Sequence, residues 1–161
     1  MVKLNPSHMN KFLVLIVILY FNSAIAKKIE PLNNYSLEEI FTDEKASHTV
    51  LERCISLYSA ITELIKKEHP ELAKSFFEMA NTLYPYGLLS LEKVEKISSN
   101  EAEKIFFKNI TNLSKIYIEE MNINGKKYGS YLRGSFLGDD LSFCHEVTKS
   151  INLVISESNI E

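Results

Sequence analysis

Apolar residues recur along this chain at alternating steps of four and three, and each such run marks a helix. Val50, Cys54, Leu57, Ile61 and Leu64 form one seam, widened by Leu51, Ile55, Tyr58 and Ile65. That is the stripe of a bundle helix with much of its circumference covered. It predicts a central helix over residues 43–68. Leu72, Phe76, Met79 and Leu83 repeat the step and predict a second helix over 70–97. Proline is disfavoured inside a helix and favoured at its first position, so Pro70 opens this helix. The Pro85 and Gly87 of a YPYG run predict a break near Pro85. Ala102, Phe106, Ile110, Leu113, Tyr117 and Met121 predict a third helix over 101–121, with Asn100 as its N-cap. Leu141, Cys144, Val147, Ile151 and Val154 predict a fourth over 139–156, with Asp139 or Asp140 as N-cap. No stretch alternates at period two between turn signals, so no sheet is expected. The predicted fold class is all-α: a four-helix antiparallel bundle, whose long third connection lets the last helix dock beside the first.

The N-terminus follows a different pattern. Residues 12–21 read FLVLIVILYF, preceded by Lys3 and Lys11 and followed by Asn22-Ser23-Ala24-Ile25-Ala26. Charge, then an apolar run, then a small-residue A-x-A ending is the order that signal peptidase reads. Residues 1–26 are therefore expected to be a cleaved signal peptide, and the product to be periplasmic or secreted. A membrane-spanning helix needs about 20 apolar residues, twice what this run offers. An uncleaved anchor with the bundle facing outward is the alternative, and the membrane is a partner only in that case. Residues 27–41 are polar, contain Pro31 and read as a flexible lead-in, with a capping-box pattern at Ser36–Glu39 that can start a short helix. The helical domain is expected over 42–161.

Removing residues 1–26 changes the charge. Lys3 and Lys11 leave with no acids, which takes the formal charge from −3 to −5. An acidic domain of this size carries no electrostatic footprint for nucleic acid and no net attraction to anionic lipid.

Export also decides how the two cysteines read. Cys54 and Cys144 are the only pair, and an even count in an exported protein implies a disulfide. A zinc site using His48 or His145 is the alternative, but the tight spacing that zinc sites use is absent. A catalytic thiol at Cys144-His145 is a third option. Adjacent helical residues diverge by about 100°, so that pairing has no geometric support.

The remaining chemistry gathers in residues 122–138, which hold four of the five glycines. Lys126, Lys127 and Arg133 alternate there with Tyr128 and Tyr131, and these five are the candidate residues for binding a ligand or partner. Cations interleaved with aromatic rings suit an anion, a carbohydrate or a peptide carboxylate. The stretch is not a phosphate-binding loop, because Ser-Phe follows Gly134 where Lys-Ser/Thr is required. The competing reading is a crossover loop whose glycines make turns. Phe76, Phe77, Tyr84 and Tyr86 are expected as core around the Pro85 break, with a ligand groove at the kink as the alternative. Asp139 and Asp140 read as helix-start acids. No H-E-x-x-H or G-x-S-x-G pattern occurs. The expectation is thus no catalytic residue, no metal and no cofactor: a non-catalytic module that binds a protein partner. The alternative is a small-molecule binder or hydrolase using the 122–138 loop.

Overall fold

The computed structural model describes residues 29–158, and the expected signal segment and its cleavage point lie outside the described residues. Residues 31–161 make up one compact unit, distinct from residues 1–30. Its described part is all-helical. A 3-10 turn at Leu32–Asn34 leads to α1 (Leu37–Thr42), followed by α2 (Glu44–Ile65), α3 (Pro70–Glu95), α4 (Ser99–Tyr128) and α5 (Phe136–Ser158).

The expected flexible lead-in is folded from Pro31 onward. Ser36 closes a full capping box on α1: its Oγ accepts the Glu39 N–H at 3.2 Å, while Glu39 Oε2 accepts the Ser36 N–H at 2.7 Å. Leu32 and Ile40 are buried, and burying two such side chains holds a segment that polarity alone would release. Asp43 then ends α1 and caps α2, its Oδ1 accepting the N–H groups of Lys45 and Ala46.

α2 is the centre of the bundle. Every residue from Arg53 to Tyr58 is buried, as are Val50, Leu51, Ala60 and Ile61. α3 returns along it: Thr62 meets Ala73 at one end and His48 meets Ser90 at the other, so low positions face high ones. α4 runs in the same sense as α2, with His48 beside the Phe106 ring and the Ser56 carbonyl accepting from Ser114 Oγ at 3.0 Å.

The break expected near Pro85 does not occur, and α3 is continuous through it. Proline removes one bond to the carbonyl four residues back, here that of Asn81. Pro85 and Asn81 both lie on the exposed face, where water can replace the lost donor. Gly87 serves contact rather than a turn. A Cβ placed on it would lie 2.5 Å from Phe106 Cζ and 3.1 Å from Ile55 Cδ1. Helix propensity favours Gly87→Ala by about 1 kcal/mol, but overpacking a rigid contact costs about 1–3 kcal/mol. G87A is expected to lower stability, read as an earlier urea midpoint; an unchanged or later midpoint would show that Phe106 yields freely. The aromatic cluster nearby divides. Phe76 and Tyr84 are half-buried against the Tyr58 and Phe106 rings, whereas Phe77 and Tyr86 are exposed and do not join the core.

Two further expectations change at the C-terminal half. α4 continues to Tyr128 and α5 starts at Phe136, so the expected 122–138 loop contracts to residues 129–135. Gly129 ends α4 in the left-handed region at φ 68°, donating its N–H to the Gly125 carbonyl. α5 also does not lie antiparallel beside α2. Arg53–Asp140, Cys54–Cys144 and Tyr58–Thr148 ascend together on both helices, whereas an antiparallel neighbour would pair rising with falling positions. α5 instead crosses α2. Among the described residues, no helix is long and apolar enough to cross a membrane.

Candidate functional site

Three places in the fold hold chemistry. The first is a buried polar cluster at the α2–α5 crossing. Cys54 and Cys144 form a disulfide there, with Cα atoms 5.3 Å apart. Beside it, Arg53 Nη2 pairs with Asp140 Oδ2 at 2.7 Å, and both side chains are buried. Arg53 Nε also donates to the Tyr117 hydroxyl at 3.0 Å, and that hydroxyl lies 3.3 Å from Asp140 Oδ2. The other carboxylate oxygen accepts the backbone N–H of Leu32 at 2.7 Å. Asp140 is thus not the N-cap expected for α5; it sits inside the helix and ties four segments together. Burial pushes its carboxyl above the ordinary range, and the Leu32 N–H, Arg53 and Tyr117 limit the rise. Arg53, Tyr117 and Asp140 line none of the cavities described below.

One turn further along, the Tyr58 hydroxyl and Thr148 Oγ1 are 3.0 Å apart. Burial raises the Tyr58 pKa from 10.0 to about 12, with the Thr148 bond pulling slightly the other way. Burial likewise raises Tyr117. A raised phenol pKa means the fold holds the neutral form. Tyr58's contribution is therefore complete below pH 10 and disappears as pH rises toward 12. A two-unit shift amounts to about 3 kcal/mol. Alkaline unfolding is expected in that window, together with a late step in tyrosinate absorbance; complete ionisation near pH 10 in the folded protein would contradict it.

The second place is the end of α4 and its turn. Lys126, Lys127, Tyr128, Tyr131 and Arg133 are all exposed. An open cavity of about 470 Å³ brings Lys126 and Tyr131 together, with Asn122, Gly125, Gly129 and Ser130. Lys127, Tyr128 and Arg133 do not line it. Lys127 Nζ sits 4.8 Å from the centre of the Tyr128 ring, a cation–π contact. The turn is held from below. Buried Asn124 donates through Nδ2 to the carbonyls of Ser130 at 2.8 Å and Arg133 at 3.0 Å. The Tyr131 ring covers Gly125 so closely that a Cβ there would be 3.1 Å away. The basic and aromatic side chains therefore project from a fixed backbone.

The third place overlaps the groove considered near Pro85 only at Tyr86; Phe76, Phe77 and Tyr84 do not line it. A cavity of about 450 Å³ opens between α1, α2, α3 and α5, lined by Ile40, Phe41, Leu51, Tyr86, Leu89 and Val154 among others. Phe41, Leu89 and Val154 are each about half exposed there. Ser90 lies on its wall, 3.5 Å from His48 Nδ1. Its hydroxyl already donates to the Gly87 carbonyl at 2.7 Å. The clue in the sequence was Phe41 and Leu89, apolar residues outside any seam.

Among the described residues, no group of three or more His, Cys, Asp or Glu side chains is arranged to hold a metal ion. Comparison with protein-family models, curated proteins and solved structures gives no match for this chain.

Proposed function

We propose that this chain is an exported, non-catalytic helical protein that holds an acidic protein partner at the Lys126–Arg133 tip. The observation that carries the reading is the tip itself: Lys126, Lys127 and Tyr128 on the last turn of α4, beside Tyr131 and Arg133 on the following turn, whose backbone buried Asn124 holds. Tyrosine and arginine supply large, rigid contact area to interfaces, and cations steer an acidic partner into register. Export is supported by the disulfide, which persists in oxidising compartments, and by the signal-like order of residues 1–26.

Capture of partners from the exported fraction is the test, with wild-type protein compared with the Lys126→Glu/Lys127→Glu/Arg133→Glu variant. A partner held by wild type, released by salt and absent from the variant supports the reading. Equal capture by both overturns it. Intact mass of the exported protein separates a chain starting at Lys27 from one that keeps its N-terminus. A second reading, a small-molecule binder, is favoured by the α1–α5 cavity rather than by the tip: its volume suits a small ligand and its walls are mostly apolar.

A further inference from the structure

The two cysteines sit inside the device that docks the N-terminal arm. Arg53 precedes Cys54 on α2, and Asp140 lies one turn before Cys144 on α5. The Arg53–Asp140 ion pair and the disulfide are thus two neighbouring ties across one crossing. The arm hangs on the same group, because the Leu32 N–H is bound by Asp140 Oδ1. α2, α3 and α4, by contrast, are knit through broad interfaces of their own: Gly87 against Phe106, Thr62 against Ala73, Ser114 against Ser56. α5 meets α2 and α3 over smaller interfaces.

We propose that the disulfide is an oxidative lock for one part of the fold: α2, α3 and α4 assemble without it, whereas α5 and the arm 31–42 dock together only once Cys54 and Cys144 are joined. Desolvating Arg53 and Asp140 opposes docking, and their mutual attraction offsets that cost only when the geometry is held closely. A covalent bond one residue away holds it. The step balances simply. Two Sγ–H groups lose two protons and two electrons to an external disulfide of the thiol-oxidoreductase class, the S–S bond forms, and the oxidant's disulfide becomes two thiols. Both sulfurs are then fully buried, out of reach of an attacking thiolate, so the lock closes in one direction. The lock also completes the α1–α5 cavity, whose walls come from both parts of the fold. Timing the lock after export rests on the exported reading proposed above; the lock itself is tested on purified protein, independently of partner capture.

Hydrogen exchange read by mass spectrometry, on the whole chain and its Cys54→Ser/Cys144→Ser variant, tests this. Amides in 31–42 and 136–158 are expected to exchange at least about tenfold faster in the variant, while those of 50–65, 73–91 and 102–121 keep their protection. Equal loss of protection in all segments overturns the proposal, because the disulfide would then support the fold as a whole. Unchanged protection everywhere overturns it equally. Asp140→Asn with the disulfide intact gives the second arm: faster exchange at 32–40 with α5 still protected is expected, and an arm that stays protected would show that Asp140 does not hold it.

Discussion

Cys54→Ser/Cys144→Ser is expected to lower the unfolding free energy by up to about 4–5 kcal/mol and to make the urea transition shallower. The first effect comes from the unfolded chain. The bond joins residues 90 apart, and in the chain-entropy account closing a loop of that length removes about that much unfolded-state freedom. Against a typical total of about 5–15 kcal/mol, the loss is a large share of what holds the domain. The second effect comes from the native side. If α5 and the arm leave the bundle, less surface is buried in the folded state, and the denaturant slope scales with the surface exposed on unfolding. The wild-type protein under strong reductant should first show a lag, because both sulfurs are fully buried and exchange needs an attacking thiolate at the bond. An unfolding free energy within about 0.5 kcal/mol of wild type, a shift typical of neutral surface changes, would mean that the bond joins helices already held in place.

The periodic reading reached the core of α2 and α4 because burial there follows one large-residue stripe per helix. Val50, Cys54, Leu57 and Ile61 are buried, as are Phe106, Ile110, Tyr117 and Met121. On α3 only Leu83 of the expected stripe is buried, Leu72 is exposed, and the helix packs instead through the small residues Ala73, Ala80 and Gly87 with Leu83 and Leu91. The disulfide was legible because two cysteines allow one pairing. What escaped was set by contacts far apart in sequence. The end of α4 looked like loop because of Asn122, Asn124 and Gly125, yet Asn124 finds its acceptors in the turn it supports and Gly125 is covered by the Tyr131 ring. Pro85 looked like a break because sequence does not say which face it occupies. Val154 fits the α5 stripe and is nevertheless half exposed, since the crossing turns the end of that helix toward an open cavity. The candidate tip was named by residue type alone, and the structure gathers only Lys126 and Tyr131 of its five residues in one cavity. Arg53 and Asp140 carried a faint signal: an arginine beside the seam of the central helix and next to one cysteine, and an acid one turn from the other.

That pair yields the second large expected effect. Asp140→Leu removes the carboxylate from a guanidinium whose side chain is 10% exposed, and takes the acceptor from the Leu32 N–H at the same time. Breaking a buried ion pair from one side costs about 3–5 kcal/mol, because the remaining charge stays desolvated. An orphaned backbone donor adds about 1–3 kcal/mol if the arm stays docked; release of the arm lets water satisfy that donor and gives up the burial of Leu32 and Ile40 instead. Removing both charges is a different matter. In Arg53→Met/Asp140→Leu the apolar replacements fill similar volume with no desolvation cost, and buried pairs replaced this way are often neutral or stabilising. The double variant is therefore expected to be more stable than Asp140→Leu alone, although Tyr117 loses partners on both sides. A double-mutant cycle by urea unfolding measures the coupling. A loss below about 1 kcal/mol in Asp140→Leu, the range of an exposed pair, would show that the crossing does not depend on this ion pair. A double variant no more stable than the single one would assign the effect to the Leu32 N–H and Tyr117 hydroxyl rather than to the charge on Arg53.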